Sequence, residues 1–345
     1  MAEDKQNIED RARRWFRRAK WVLVLFAILA TLAAGAEVYL RLSNRVGLND
    51  PEERARYFET LRVDRTLIRN RGGLKGRFGG VDVRINQQGF RGPRAHTTKL
   101  PGTYRIMLLG DEKTFGWRVP EEKTFGARLQ QLLDTTFVGR FEVLNGGVPG
   151  NSFAMVGTYV QQIAMTFQPD VVVVLLDGSD LIGENSSAGD WLPLNQGLAQ
   201  RSFLFRLFNL PSRERPLATI SPAAAVAAKR VFNQIERTVF RPRVDLFMVF
   251  WAPEEDPWRV LARDALPPMS TWVWARPVDT SVALARLPRT MWRTGLLGDY
   301  PSEQAHELLA QQLMSELSAH AVGFFFVRRD GLPTPRNRAM AGRER

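Results

Sequence analysis

The chain has 345 residues, 44% hydrophobic and 24% charged, with a formal net charge of +12 and no cysteine. That length suits one sizeable α/β domain with accessory segments and excludes two large ones. The missing cysteine excludes a disulfide framework, a thiolate metal site and a thiol nucleophile, without fixing the compartment. Arginines are spread along the chain with local runs only at its ends, and no helix-turn-helix, finger or aromatic-basic motif accompanies them. Nucleic acid is therefore not an expected partner; anionic lipid or polysaccharide suits the charge as well.

Trp21 to Ala36 reads WVLVLFAILATLAAGA without a charge, and apolar residues continue past Glu37 through Val38, Tyr39 and Leu40. Together they make about twenty residues, the length that crosses a hydrocarbon core as a helix. Arg11, Arg13, Arg14, Arg17, Arg18 and Lys20 crowd the upstream flank, and the downstream arginines are sparser. This bias predicts a single-pass inner-membrane protein. Residues 1–20 are then cytoplasmic, 21–40 the anchor, and the rest periplasmic or extracellular. A cleavable signal is the competing reading, with Ala34-Gly35-Ala36 as its cleavage site and a faint twin-arginine pattern at Arg13-Arg14. Both readings export the domain.

Residues 41–79 read as a juxtamembrane stalk and loop, with part of 51–61 helical and 69–80 a Gly- and Arg-rich loop. Residues 81–86 alternate as a short strand, and 87–93 carry turn chemistry. Buried strands are then expected at 105–109, 141–144, 170–176, 244–251 and 271–275. Helices are expected at 124–133, 152–167, 223–239, 255–265 and 302–319. Uninterrupted β-branched runs need cover on both faces. The alternation predicts an α/β fold over 80–327: three layers, doubly wound, around a mostly parallel, flavodoxin-like sheet. Residues 183–220, with the apolar-basic run Phe203 to Phe208, read as an insertion or lid that packs on the core or faces a membrane. The basic tail, 328–345, reads as disordered.

Ligands of such sheets sit beyond the carboxyl ends of the strands, so three loops are candidates: residues 110–116, 145–150 and 177–180. The turn at 298–301 joins them. None carries the Gly-x-Gly-x-x-Gly that lets a dinucleotide approach, or the Gly-Lys-Ser/Thr ending of a phosphate loop, and no cofactor is expected. No metal is expected either, since His96, His306 and His320 show no paired ligand spacing.

The order Gly89-Phe-Arg-Gly-Pro93, Tyr104-Arg-Ile-Met-Leu-Leu-Gly-Asp111, Thr114-Phe-Gly116, Val119-Pro-Glu-Glu122, Leu144-Asn-Gly-Gly-Val-Pro-Gly150 and Gln168-Pro-Asp-Val-Val-Val173 resembles the membrane-anchored bacterial SGNH/GDSL hydrolases. The resemblance covers about residues 80 to 320 and implies an SGNH-hydrolase-like form of the fold. It also implies a serine after Gly-Asp, an oxyanion glycine, an oxyanion asparagine and a histidine base ahead of the last helix. Here Glu112 stands for the serine and Gly147 keeps the glycine. Ser179 stands for the asparagine, and Tyr300 for the histidine. His306 matches the family's second, non-catalytic histidine.

A carboxylate without a paired base does not reproduce serine acyl transfer, and tyrosine is a poor base near neutral pH. Losing one oxyanion donor costs about 100- to 1,000-fold in rate. No intact catalytic set is therefore expected. Asp111, Asp180 and His306 remain as helpers in a relocated one, and Asp111 and Asp180 equally suit helix caps. Glu112 needs a buried partner, for which Lys113, Arg118 and Tyr300 are the candidates. Three readings stand. One is a pseudo-hydrolase that binds or assembles at the envelope, with a polysaccharide or, as the resemblance implies, a membrane-bound O-acyltransferase as partner. The others are an active esterase or O-acetyltransferase with relocated residues, and a structural subunit of an envelope membrane complex.

Overall fold

A computed structural model describes residues 2–43, 47–63, 67–93, 95–181, 202–208, 220–251, 257–295 and 300–332. Its first element is one continuous helix, α1 (Ala2–Ser43). Within it Trp15–Ser43 is long and apolar enough to cross a membrane, and none of its most apolar window is buried. A short helix, α2 (Asp50–Phe58), follows. An antiparallel hairpin of β1 (Lys75–Phe78) and β2 (Val81–Arg84) comes next.

The body alternates as its sequence demands: β3 (Thr103–Leu109), α3 (Glu112–Phe115), α4 (Phe125–Thr136), β4 (Arg140–Asn145), α5 (Phe153–Gln162) and β5 (Val171–Leu176). Then come α6 (Phe203–Phe208), α7 (Pro222–Phe240), β6 (Asp245–Phe250), α8 (Pro257–Ala265), β7 (Ala275–Asp279) and α9 (Glu303–His320). Four of the helices that cover the sheet open on a hydroxyl cap. Thr124, Ser152, Ser221 and Ser302 each accept from the backbone N–H three residues on. Such a cap contributes about 1 kcal/mol.

The five strands lie in the order β7-β6-β5-β3-β4, all parallel. Alternate residues along each strand face opposite layers. Met107, Val172, Val174, Leu246 and Met248 meet α5, α7 and α8 on one face. Ile106, Val171, Val173, Phe247 and Val249 meet α4 and α9 on the other. This is the doubly wound, three-layer arrangement with the flavodoxin-like order. Its direction of winding switches between β3 and β5, where such folds place their ligands.

Four expectations are corrected. The last parallel strand is Ala275–Asp279 rather than 271–275. Glu236 on α7 accepts the N–H groups of Val273, Trp274 and Ala275, so ladder pairing starts only at Ala275. Pro277 is tolerated because β7 is an edge strand. A third of the loop at 69–80 is the strand β1. The segment 41–79 is no free stalk: Tyr57 packs with Phe78, Phe115, Trp117 and Tyr300 in a core of its own. The tail is ordered at its start, since Val327–Arg328 pairs with Phe137–Val138. Of the expected insertion at 183–220 only residues 202–208 and Ile220 fall among the described residues. Residues 333–345 of the tail lie outside them.

Candidate functional site at the switch point

The loops after β3 and β5 flank the switch point, and both are built around buried charge. Asp111 caps α3, its carboxylate accepting from the Lys113 N–H at 2.8 Å. The same carboxylate meets Lys113 Nζ at 2.7 Å, and Asp177 Oδ2 lies 3.0 Å from that ammonium. Asp180 closes the ring by accepting the Asp177 N–H at 2.7 Å. All four side chains are buried. Burial works against the ammonium, but the fields of Asp111, Asp177 and Asp180 outweigh it and hold Lys113 charged.

A single ammonium cannot balance three carboxylates. Burial, with Glu112 and Asp177 nearby, pushes Asp111 up to about 6. Burial and the Asp111 carboxylate push Asp180 well above the usual range. Of the three carboxyls, Asp180 is thus the one that burial and its neighbours bias most strongly towards the protonated form. Its role is to return to the start of its own turn rather than to cap a long helix.

Glu112 points the other way. Its Oε1 lies 3.2 Å from Arg54 Nη1, and its Oε2 accepts the Gly150 N–H at 3.1 Å. Arg54 Nη1 also donates to the Tyr300 hydroxyl at 3.0 Å. The three side chains are 4%, 3% and 1% exposed for Glu112, Arg54 and Tyr300. Burial alone would raise the Glu112 pKa, but Arg54, then Lys113 and the Gly150 N–H, hold it at about 2. Burial pushes the Tyr300 phenol up to about 12. At neutral pH Glu112 is an anion satisfied inside the protein, and Tyr300 keeps its proton.

None of the expected partners of Glu112 supplies the direct contact. Lys113 is taken by Asp111 and Asp177, Arg118 pairs with Asp50 at 2.7 Å, and Tyr300 is reached through Arg54. The cation that sequence reasoning missed comes from α2. One signal pointed to it: Asp50, Arg54 and Tyr57 recur at helical spacing and so share a face. Charged residues on a short helix ordinarily read as a solvated face, which concealed it.

Gly147 lies against the end of α3. A Cβ there would sit 2.2 Å from the Phe115 N, so only glycine lets the two backbones approach. Its N–H donates to Asn145 Oδ1 at 3.1 Å, and its carbonyl accepts from Asn70 Nδ2 at 2.9 Å. Asn70 in turn accepts from the Tyr57 hydroxyl at 2.8 Å. The expected oxyanion donor is thereby spent within the chain.

Glu112 and Tyr300 are thus joined through Arg54, and Gly147 lies against Thr114 and Phe115 at the end of α3. Ser179 lies in the turn Gly178–Leu181 beside Asp177 and Asp180, and its side chain lies outside the described residues. His306 is not at the centre. Its Nδ1 accepts the Phe125 N–H that starts α4, and its ring stacks on Phe125. Burial first, then the Arg91 charge, press its pKa down to about 3, so it is neutral and structural. Arg91, from the Gly89-to-Pro93 turn, donates to the carbonyls of Phe115, Gly116 and Val119 and straps the loop behind α3. Among the described residues no cluster of His, Asp or Glu has the arrangement of a metal site.

No protein-family model matches the chain, and no curated protein matches it. Solved structures similar to it include a putative lipolytic protein of the G-D-S-L family from Desulfitobacterium hafniense DCB-2. That pair shares 11% identity over 61% of this chain and 97% of the other, with a TM-score of 0.40. TesA shares 12% identity over 62% and 97%, with a TM-score of 0.42. A catalytic mutant of the acetylxylan esterase Axe2 from Geobacillus stearothermophilus shares 14% over 64% and 96%, with a TM-score of 0.41.

Proposed function

We propose that this chain is a membrane-anchored, extracytoplasmic pseudo-hydrolase of the SGNH type, acting by binding or assembly at the cell envelope. The observation that carries the reading is the Arg54–Glu112–Tyr300 arrangement at the switch point. Serine-type acyl transfer needs an activated nucleophile, a base within reach and a free oxyanion donor. In this chain a satisfied carboxylate stands first, a protonated phenol second, and the Gly147 N–H is bonded to Asn145. Each group is chemically present and internally spent.

The α1 span and its cationic upstream flank support anchoring with the body outside the cytoplasm. The net charge of +12 suits an anionic envelope surface. On this reading the partner is an envelope polysaccharide or the membrane-bound enzyme that acylates it.

The test uses the full chain in detergent micelles, with p-nitrophenyl acetate and an acetylated glycan as substrates. No turnover above buffer is expected, together with saturable retention of the glycan. Turnover that disappears in Glu112→Gln would establish an active esterase in place of the pseudo-hydrolase.

A further inference from the structure

The apolar-basic run in the expected insertion folds as α6, and its neighbours are informative. Glu37, on α1, accepts the backbone N–H groups of Phe203 and Leu204 at 2.9 Å each, and the Ser202 hydroxyl at 3.0 Å. Arg41, one turn on, closes the same carboxylate at 2.8 Å. Phe203 packs with Leu40 and Leu48, flanked by Leu204 and Leu207. Arg206, the only charge in α6, turns inward, donating to the Leu48 carbonyl at 2.8 Å and pairing with Glu52 at the start of α2. What α6 leaves outside is aromatic: Phe205 is 39% exposed and Phe208 81%.

The depth of this joint follows from helix geometry. From Trp21, the cytoplasmic end of the uncharged run, to Glu37 is about 24 Å at the rise of an α-helix. The hydrocarbon core is about 30 Å thick, so Glu37 falls about 6 Å inside its outer edge, roughly one helical turn below the interface. The carboxylate tolerates that depth because four donors satisfy it. Since α6 begins on that carboxylate, it begins at the same level. A short helix there, with its single cation turned to the protein and phenylalanines turned out, has the composition of an interfacial segment.

We infer that α6 is a second membrane contact: its Phe205 and Phe208 side chains insert into the outer interface of the lipid bilayer that α1 crosses. This rests on the reading of α1 as an anchor. The Arg206 links to Leu48 and Glu52 tie that contact to α2, which carries Arg54 into the switch-point site. The bilayer thus fixes the orientation of the body through α6, where a lone helical anchor and a loose stalk would leave it free to turn.

The absence of cysteine makes single-cysteine labelling clean. Full-length Phe208→Cys, Phe205→Cys, Leu29→Cys and Leu100→Cys, each carrying an environment-sensitive fluorophore, would be reconstituted in phosphatidylethanolamine–phosphatidylglycerol vesicles. Lipids with quenchers at shallow or deep acyl positions then report depth. Leu29 lies in the middle of the span, and Leu100 is exposed at the entry to β3, the opposite end of the strands. The expected result is quenching of positions 205 and 208 by the shallow lipid, of 29 by the deep one, and none at 100. Quenching at 29 without quenching at 208 overturns this inference alone, as does a shielded but unquenched dye at 208, which would mean a protein partner. No deep quenching at 29 overturns the anchor reading and this inference with it.

Discussion

Arg54 and Glu112 meet 3.2 Å apart although 58 residues separate them, joining the helix nearest the anchor to the loop that follows the first parallel strand. Removing one partner of a buried pair leaves the other charge uncompensated, at a cost of about 3–5 kcal/mol. Arg54→Met is therefore expected to destabilise strongly, since it also strips the Tyr300 hydroxyl of a donor. The double variant Arg54→Met/Glu112→Gln is expected to recover most of that loss. A double-mutant cycle by urea unfolding measures the coupling. Additive effects would mean that the contact carries no energy.

The same pair sets an acid limit. Glu112 titrates near 4.5 in a flexible chain and at about 2 in the fold. A depressed carboxyl stabilises the fold above its unfolded pKa, and that stabilisation drains away as pH falls through the folded value. The window here runs from about pH 4.5 down to about pH 2, and the stake is roughly 3 kcal/mol. Wild type is expected to lose stability across that window more steeply than Glu112→Gln, whose remaining slope comes from other depressed carboxyls such as Asp279, as read by thermal melts at half-unit steps. Parallel curves would remove Glu112 from the acid transition.

The parallel sheet was legible because runs such as Val171 to Leu176 admit little else, and because Thr124, Ser152 and Ser302 mark helix starts by local chemistry alone. Glu112 and Gly147 follow the first two parallel strands, which made their loops candidates, while Tyr300 was reached only through the family resemblance. What stayed hidden was every contact made across long separations by residues with ordinary local roles. Arg54 looked like a solvated helix residue, and Glu37 like an interruption of the apolar run. Each finds its partner only when distant segments pack. The last strand slipped by four positions for a related reason: Glu236, on α7, decides where pairing begins.

Gly147→Ala tests the close approach of two backbones. The added methyl would sit 2.2 Å from the Phe115 N and 2.7 Å from the Thr114 carbonyl carbon, and neither is a flexible side-chain end. The α3 turn would have to move, at a cost of about 1–3 kcal/mol, the range for overpacking a tight site. Gly35→Ala is the control, since nothing lies within 4 Å of the added Cβ. A melting temperature unchanged in Gly147→Ala would show that the loop is not seated against α3.

Asp180→Asn should make the protein more stable, and more so at higher pH. Burial, the Asp111 carboxylate and the Asp177 carboxylate raise Asp180 well above its usual range, while Lys113 offsets only part of that. A raised carboxyl is at its most favourable below the unfolded pKa of about 4, where both states hold the proton. As pH rises the unfolded chain releases it freely and the folded one reluctantly, so the group becomes a growing penalty. Asparagine keeps an oxygen that accepts the Asp177 N–H and has no proton to lose, so it escapes that growing penalty. Its advantage over wild type is expected to be near zero at pH 4 and to widen through pH 6 to 8. An advantage that shrinks as pH rises would contradict a raised Asp180 carboxyl.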